Sequence, residues 1–365
     1  MTVSVGSALS TAEIYDWSVV SGLGVGKDDF SRGFLGSQQA GSDGRLLTGF
    51  DPTTLIGKKG TRTLDRMTSL VIATAGMVLD GGLVEPQARE SVGLVLGTNT
   101  GSIASIVDFT RDTFVQERPY LVNPADFPNT VMNSAAGRTA IWYGLRGLNS
   151  TIAAGHLTGL VALRYASRMI RLGYADTLLV GAVEEVSDAV SVGVQVTRGH
   201  RAAAPGGGVN PLGEGCVLFL LGGRGGAGGG TAAAELVDFE FGTAELDADT
   251  PALSAALDRT IRALLLRNAL RPEDIALVSL AQSGDGTLDS AELAAVDQAL
   301  GGPGVGRRIV AADRTGNSFS ALGAFQLAAA MAVAATDRPA GDPVRPCLIT
   351  SLGIDGSVGC ALVRV

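Results

Sequence analysis

Short apolar runs alternate along this chain with longer segments of helical periodicity. The runs Val92–Leu96, Thr151–Ala154, Thr177–Val183, Cys216–Leu221, Ile275–Leu280, Arg308–Ala311 and Cys347–Ser351 are rich in aliphatic and β-branched residues and poor in charge. That pattern predicts strands covered on both faces. Arg66–Leu79, Ser102–Val115, Asn133–Gly144, Leu157–Leu172, Pro251–Asn268, Ser290–Leu300 and Ser320–Ala335 carry apolar or small residues at helical spacing, which predicts helices. The alternation points to an α/β layered architecture. The apolar segment Leu322–Ala335 is Ala-rich and short for a bilayer, so a buried core helix is expected rather than a membrane span. No basic stretch followed by an apolar run opens the chain, so no secretory leader and a cytoplasmic location are expected.

The two ends of this pattern echo each other. Strand 151–154 leads through a turn into helix 157–172 and then strand 177–183. Strand 308–311 leads through Asp313-Arg314-Thr315-Gly316-Asn317 into helix 320–335 and then strand 347–351. One strand-helix-strand unit is common, but its recurrence at matching places suggests duplication. Between the copies lies the run Gly222-Gly223-Arg224-Gly225-Gly226-Ala227-Gly228-Gly229-Gly230. It lacks the Gly-Lys-Ser/Thr ending of a phosphate loop, and no helix follows it at once. It reads as a hairpin or a connection, giving halves 1–222 and 231–365 joined by 223–230.

Composition narrows the chemistry. Of 365 residues, 46% are hydrophobic and 51 are Gly, which allows a large core built from small side chains. The formal net charge of −8 disfavours phosphate neutralisation, so no nucleic-acid partner is expected. Cys216, Cys347 and Cys360 lie in predicted strands without metal-ligand spacing. They read as buried hydrophobes in a reducing compartment, with no metal and no cofactor.

The strand-to-helix elbow Ser150-Thr151-Ile152-Ala153-Ala154-Gly155-His156-Leu157-Thr158 is a place where acyl-transfer enzymes carry a nucleophile. Other segments set it in context. Leu64-Asp65-Arg66-Met67-Thr68 is similar to an "MDR" helix start. Asn129-Thr130-Val131-Met132-Asn133-Ser134-Ala135-Ala136-Gly137-Arg138 is similar to a "PN-x-x-AAG" helix. Ala175-Asp176-Thr177-Leu178-Leu179-Val180-Gly181-Ala182-Val183-Glu184 is similar to an "AD-x-x-x-x-GG-x-E" strand. Ser351-Leu352-Gly353-Ile354-Asp355-Gly356 is similar to an "S-F-G-F-GG" loop. In this order the segments resemble the β-ketoacyl synthase family. The resemblance implies a thiolase-like fold: duplicated halves in a five-layered α-β-α-β-α arrangement.

The same resemblance implies a Cys at the elbow and two His residues, one in an "H-G-T-G-T" motif and one in "K-x-x-x-G-H". Here His156 stands for the Cys. Ser283 in Ser283-Gly284-Asp285-Gly286-Thr287 stands for the first His, and the stretch to Asp289 and Glu292 is shortened. Asn317 stands for the second His, and Ala312 for the Lys. The chain has two His, His156 and His200, so a Cys-His-His triad fails on counting alone. Ile354-Asp355 replaces the aromatic-Gly pair of the gate loop.

A ketosynthase-like chain without its triad resembles the chain length factor of type II polyketide synthases. Such factors commonly carry Gln where His156 stands here. The chain's shortness leans toward the branch serving highly reduced or polyene products. The implied role is a non-condensing subunit of a heterodimer. An active ketosynthase does the chemistry, and an acyl carrier protein is met through the complex. Ile106, Phe109, Thr110 and Thr113, spaced along one helical face, become candidates for the tunnel wall that sets chain length. Asn129, Asn133, Ser150 and Ile152 become interface candidates. Asp108 and Asp112 on the same helix either face water or pair across the interface. Arg198-Gly199-His200-Arg201 and Arg307-Arg308 read as solvated charge or a local basic patch. Two other readings stay open: a stand-alone malonyl-thioester decarboxylase or acyltransferase using His156, and a ligand-binding relic.

Overall fold

A computed structural model describes residues 12–36, 45–201, 211–226, 230–245, 248–337 and 344–365, with only the backbone described from 195 to 201. Its strands are β1 (Ala12–Ser21), β2 (Gly24–Val25), β3 (Gly93–Gly97), β4 (Asn149–Ile152), β5 (Thr177–Glu184), β6 (Gly215–Gly223), β7 (Ala234–Thr243), β8 (Leu277–Leu280), β9 (Arg307–Val310), β10 (Pro346–Leu352) and β11 (Ser357–Arg364). Its helices are α1 (Lys27–Leu35), α2 (Pro52–Ile56), α3 (Arg66–Leu79), α4 (Ile103–Val115), α5 (Ser134–Tyr143), α6 (Thr158–Arg171), α7 (Asp188–Arg201), α8 (Thr250–Arg267), α9 (Gly286–Leu300), α10 (Ala312–Thr315) and α11 (Leu322–Asp337).

The strands run in the order β4-β3-β5-β6-β1-β7-β11-β10-β8-β9. The two arms are copies. In one, β3 pairs parallel with β4 and β5, while β6 is antiparallel to β5 and to β1. In the other, β8 pairs parallel with β9 and β10, while β11 is antiparallel to β10 and to β7. The arms join where Ala12–Ile14 of β1 meet Ala234–Leu236 of β7.

Side-chain alternation along the strands sorts the interior into layers. Val217, Phe219 and Leu221 of β6 face a central cluster with α6, α11 and Phe30 of α1. Cys216, Leu218 and Leu220 face the opposite way, onto α3 and α5. In the other arm, Val358, Cys360 and Leu362 of β11 face α8 and α9. The result is helix-sheet-helix-sheet-helix, the five-layered thiolase-like arrangement expected from the sequence.

The central layer explains the glycine and alanine content. α11 is buried on all sides from Leu322 to Val333. Its continuation back to Phe319 is long and apolar enough to cross a membrane by composition, but 78% of that window is inside the protein. A Cβ placed on Gly159 of α6 would lie 2.9 Å from the backbone nitrogen of Ala324. One on Gly181 of β5 would meet the carbonyl oxygen of Val217 at 1.8 Å. At these crossings only glycine fits.

Several boundaries shift from expectation. The elbow strand is 149–152 rather than 151–154, and α9 starts at Gly286 rather than Ser290. Asp285 explains the earlier start, because its side chain caps the N–H groups of Thr287 and Leu288. The Gly-rich run begins as the end of β6 and turns at Gly223–Gly226, where Gly226 N–H donates to the Gly223 carbonyl. Residues 227–229 of that run lie outside the described residues.

Candidate active site

The elbow forms where β4 ends and α6 begins. Gly155 takes a left-handed φ of 56°, which reverses the chain within a few residues. Thr158 locks the turn: its hydroxyl accepts from Ala154 N–H at 2.8 Å and donates to the Gly155 carbonyl at 2.7 Å. Asn99, just past β3, accepts from Gly155 N–H at 3.1 Å. His156 follows, half-buried, immediately before the α6 cap at Leu157.

Three further segments converge on this turn. Phe319 lies with its ring centroid 6.3 Å from that of His156, its backbone at a φ of 48°. Ser351 of β10 donates its hydroxyl to the His156 carbonyl at 3.3 Å. Asp355, on the turn between β10 and β11, is held below the usual carboxylate range. Burial pushes it up, but hydrogen bonds from Ser357 and the charge of His156 outweigh that.

Ser283 and Asn317 follow the C-terminal ends of β8 and β9. Both are buried, and they meet: the Asn317 side-chain amide donates to the Ser283 carbonyl at 2.9 Å. The Asn317 side-chain oxygen accepts from Phe319 N–H at 2.9 Å, and its backbone bonds to Pro211 and Gly213. The structure thus gathers Ser283, Asn317, Phe319 and His156 along one chain of contacts. Ala312 opens α10 and is buried.

No thiol serves this site. Cys216, Cys347 and Cys360 are buried in strands, and burial pushes every one of their thiols up, that of Cys216 to about 12. They are therefore inert as thiolates. Among the described residues, no cluster of three His, Cys, Asp or Glu is placed to hold a metal.

Buried carboxylates brace the site. Glu184, at the end of β5, accepts from Asn99 N–H at 2.7 Å and from the hydroxyls of Thr100 and Ser320. Burial raises its pKa. Glu292 of α9 accepts from the N–H groups of Ala281 and Gln282 and from the Thr350 hydroxyl at 2.6 Å. Each ties strand ends to the turns that carry the site residues. Glu185 is pushed up to about 7 by burial and then by Asp65, and it accepts from Met67 N–H. Sequence reasoning had Glu184 only as a motif letter and missed Glu185; the pair of adjacent acids at a strand end was the available signal.

The remaining candidates separate. Ile106, Phe109 and Thr113 of α4 are half-buried, whereas Thr110 is exposed. Phe109 packs on Phe127 with ring centroids 5.9 Å apart. Asp108 and Asp112 pair with Arg111 of the same helix, at 3.0 and 3.9 Å. Asn129 is buried with its side-chain oxygen unpartnered, Asn133 is exposed, and Ile152 is half-buried. Ser150 donates to the Tyr165 hydroxyl at 3.3 Å. Arg307 and Arg308 do not form a free basic patch, because Asp337 and Asp297 pair with them. The side chains of Arg198, His200 and Arg201 lie outside the described ones.

Residues 35–221 match the family model described as "Beta-ketoacyl synthase, N-terminal domain", and the chain belongs to the β-ketoacyl synthase family. It is 32% identical to 3-oxoacyl-(acyl-carrier-protein) synthase 2 of Vibrio cholerae over 39% of this chain and 34% of that enzyme. It is 27% identical to the enzyme of the same name from Vibrio harveyi over 77% of this chain and 72% of that one. Among solved structures it is similar to the ishigamide ketosynthase/chain length factor, with TM-score 0.78 and 29% identity over 97% of this chain and 99% of that chain.

Proposed function

We propose that this chain is a non-condensing, ketosynthase-like subunit that heterodimerises with an active ketosynthase and shapes the tunnel in which a polyketide or polyene chain is extended. The carrying observation is the elbow itself. The position for an acyl-bearing thiol holds His156, while all three cysteines are buried in strands. An imidazole does not hold a growing chain as a stable thioester. The positions for the two supporting His residues hold Ser283 and Asn317, and the Asn317 amide is committed to the Ser283 backbone carbonyl and to Phe319 N–H. In this reading the partner supplies decarboxylative condensation from malonyl-carrier protein, and the acyl carrier protein is met through the complex.

The surface supports a partner. β4 pairs only with β3 in the described sheet and so leaves an edge open. Among the described residues, Val107, Phe114 and Val115 of α4, Phe127, Val131, and Ile141 of α5 are exposed. Exposed apolar side chains of this size suit a partner surface. In this reading Asn129, Asn133, Ser150 and Ile152 lie at the heterodimer interface, and Ile106, Phe109, Thr110 and Thr113 line the tunnel. In this reading the halves are 1–222 and 231–365, with 223–230 as the connection.

The test is co-expression with a ketosynthase carrying an intact Cys-His-His set. A stable one-to-one complex, active only when both chains are present, is expected. Carbon dioxide release from malonyl-carrier protein by the purified single chain, abolished in His156→Ala, would overturn the reading in favour of a stand-alone decarboxylase.

A further inference from the structure

Two acids stand side by side where β5 ends, and they reach into different layers. Glu184 turns to the Ser320 hydroxyl, at the entry to α11. Glu185 turns to the first residues of α3 and α4 and is buried there. Resting on the reading of α4 as a tunnel wall, we propose that Glu185 is the positioning residue for that wall. It fixes the start of α4 and so sets where the stripe of Ile106, Phe109 and Thr113 stands.

The Glu185 carboxylate is divided between the two helices. One oxygen, Oε2, accepts from Met67 N–H in the first turn of α3 at 3.1 Å. The other, Oε1, accepts from the hydroxyl of Ser102, the cap residue of α4, at 3.4 Å. Ser102 makes no side-chain cap bond to its own helix. Its hydroxyl meets that of Ser105 at 2.9 Å. With Ser105 as donor, the Ser102 proton is left for Glu185, and the two hydroxyls form a short relay into the carboxylate.

Of the two helices, α4 is the one that is held. The α3 start has its own cap, since Asp65 accepts from Thr68 N–H at 2.7 Å, and α3 is buried from Met67 to Gly76. No residue of α4 is fully buried. Its ring contact is Phe109 on Phe127, and Phe127 is itself exposed. A helix with so little packed surface draws its fixed place from ties at its ends. Glu185 needs no contact with a growing chain for this; it acts through α4.

Amide hydrogen exchange of the single chain at one fixed pH tests the tie. The samples are wild type, Glu185→Leu, Glu185→Gln, Ser102→Ala and the double variant Ser102→Ala/Glu185→Leu. Glu185→Leu and Ser102→Ala are each expected to speed exchange of the Ile106–Thr110 amides about five- to tenfold, the worth of one hydrogen bond to a buried acid. Amides of α8 are expected not to change. Glu185→Gln keeps a carbonyl acceptor for Met67 and an amide that can donate to Ser102, so it is expected to stay within about twofold of wild type. The double variant is expected to go no further than either single. Should Glu185→Leu not fold, Ser102→Ala carries the same comparison. Exchange in α4 within about twofold of wild type in Ser102→Ala, or an equal rise in α8, would overturn the tie.

Product length in a complex with an active ketosynthase tests its consequence. Glu185→Leu and Ser102→Ala are expected to spread the products over more than one length, and Glu185→Gln to restore the wild-type product. A single unchanged length from these variants, in a complex where Phe109→Ala lengthens the product, would overturn the positioning role. If Phe109→Ala also leaves the length unchanged, the tunnel reading itself has failed, and the positioning of a tunnel wall falls with it.

Discussion

Asn317 donates its side-chain amide to the backbone carbonyl of Ser283 across the C-terminal ends of β8 and β9. Its oxygen accepts from Phe319 N–H, so both ends of the amide are committed to holding turns in place. Replacement by Ala strips partners from a buried carbonyl and a backbone N–H at once. Asn317→Ala is expected to lower unfolding stability by about 1–3 kcal/mol, measured by urea denaturation. A loss below about 0.5 kcal/mol would show that this amide is not structural.

Carboxylates held neutral give the protein a defined response to pH. Burial, and then the charge of Glu292, push Asp289 up to about 7. An unfolded Asp titrates near ~3.9, so the folded state keeps its proton longer. The stability from this group is fully present below about pH 4 and is lost as pH rises through about 7, with a slope of at most ~1.4 kcal/mol per pH unit. Asp289→Asn removes the penalty and can still accept from Gly284 N–H, which Asp289 bonds at 3.0 Å. The variant is expected to gain on wild type more at pH 8 than at pH 5. Equal differences in urea midpoint at the two pH values would contradict the raised pKa.

Much of this was legible in the sequence, and the gaps have physical causes. β5, β6 and β10 showed as uninterrupted apolar runs because helices cover both faces. β1 was missed because Glu13 and Asp16 break its run. In the fold Asp16 is paired with Lys27 at 2.5 Å, a partner invisible to periodicity. β7 was missed for a similar reason: Glu235, Asp238 and Glu240 alternate along it, and Arg364 and Arg267 neutralise them. At the site, His156, Ser283 and Asn317 could be found by position alone. The contact between Ser283 and Asn317, and the approach of Asp355 to Gly155, could not. They join segments more than thirty residues apart through backbone atoms, which leave no mark on residue type.

The α4 helix offers a test of the tunnel assignment. Phe109 is half-buried against Phe127, on the face shared with Ile106 and Thr113. If this stripe caps a tunnel, removing the ring deepens it. In a complex with an active ketosynthase, Phe109→Ala is expected to lengthen the product by one or more extension units, read by mass spectrometry. Product of unchanged length from an intact complex would return Phe109 to plain packing.

Two helical glycines separate packing from propensity. Gly137 of α5 has nothing within 4 Å of where a Cβ would sit. There the change to Ala brings only the gain in helix propensity, about 0.5–1 kcal/mol. Gly159 of α6 has the Ala324 nitrogen at 2.9 Å and the Ser320 carbonyl oxygen at 3.2 Å from the same point. Both are backbone atoms of the central layer and cannot swing aside. Overpacking there costs about 1–3 kcal/mol and outweighs the propensity gain. Thermal unfolding is therefore expected to place Gly137→Ala above wild type and Gly159→Ala below it. Two glycines shifting the same way would mean that α6 and α11 can separate without cost. The close crossing of the central helices would then not be what holds the two sheets in register.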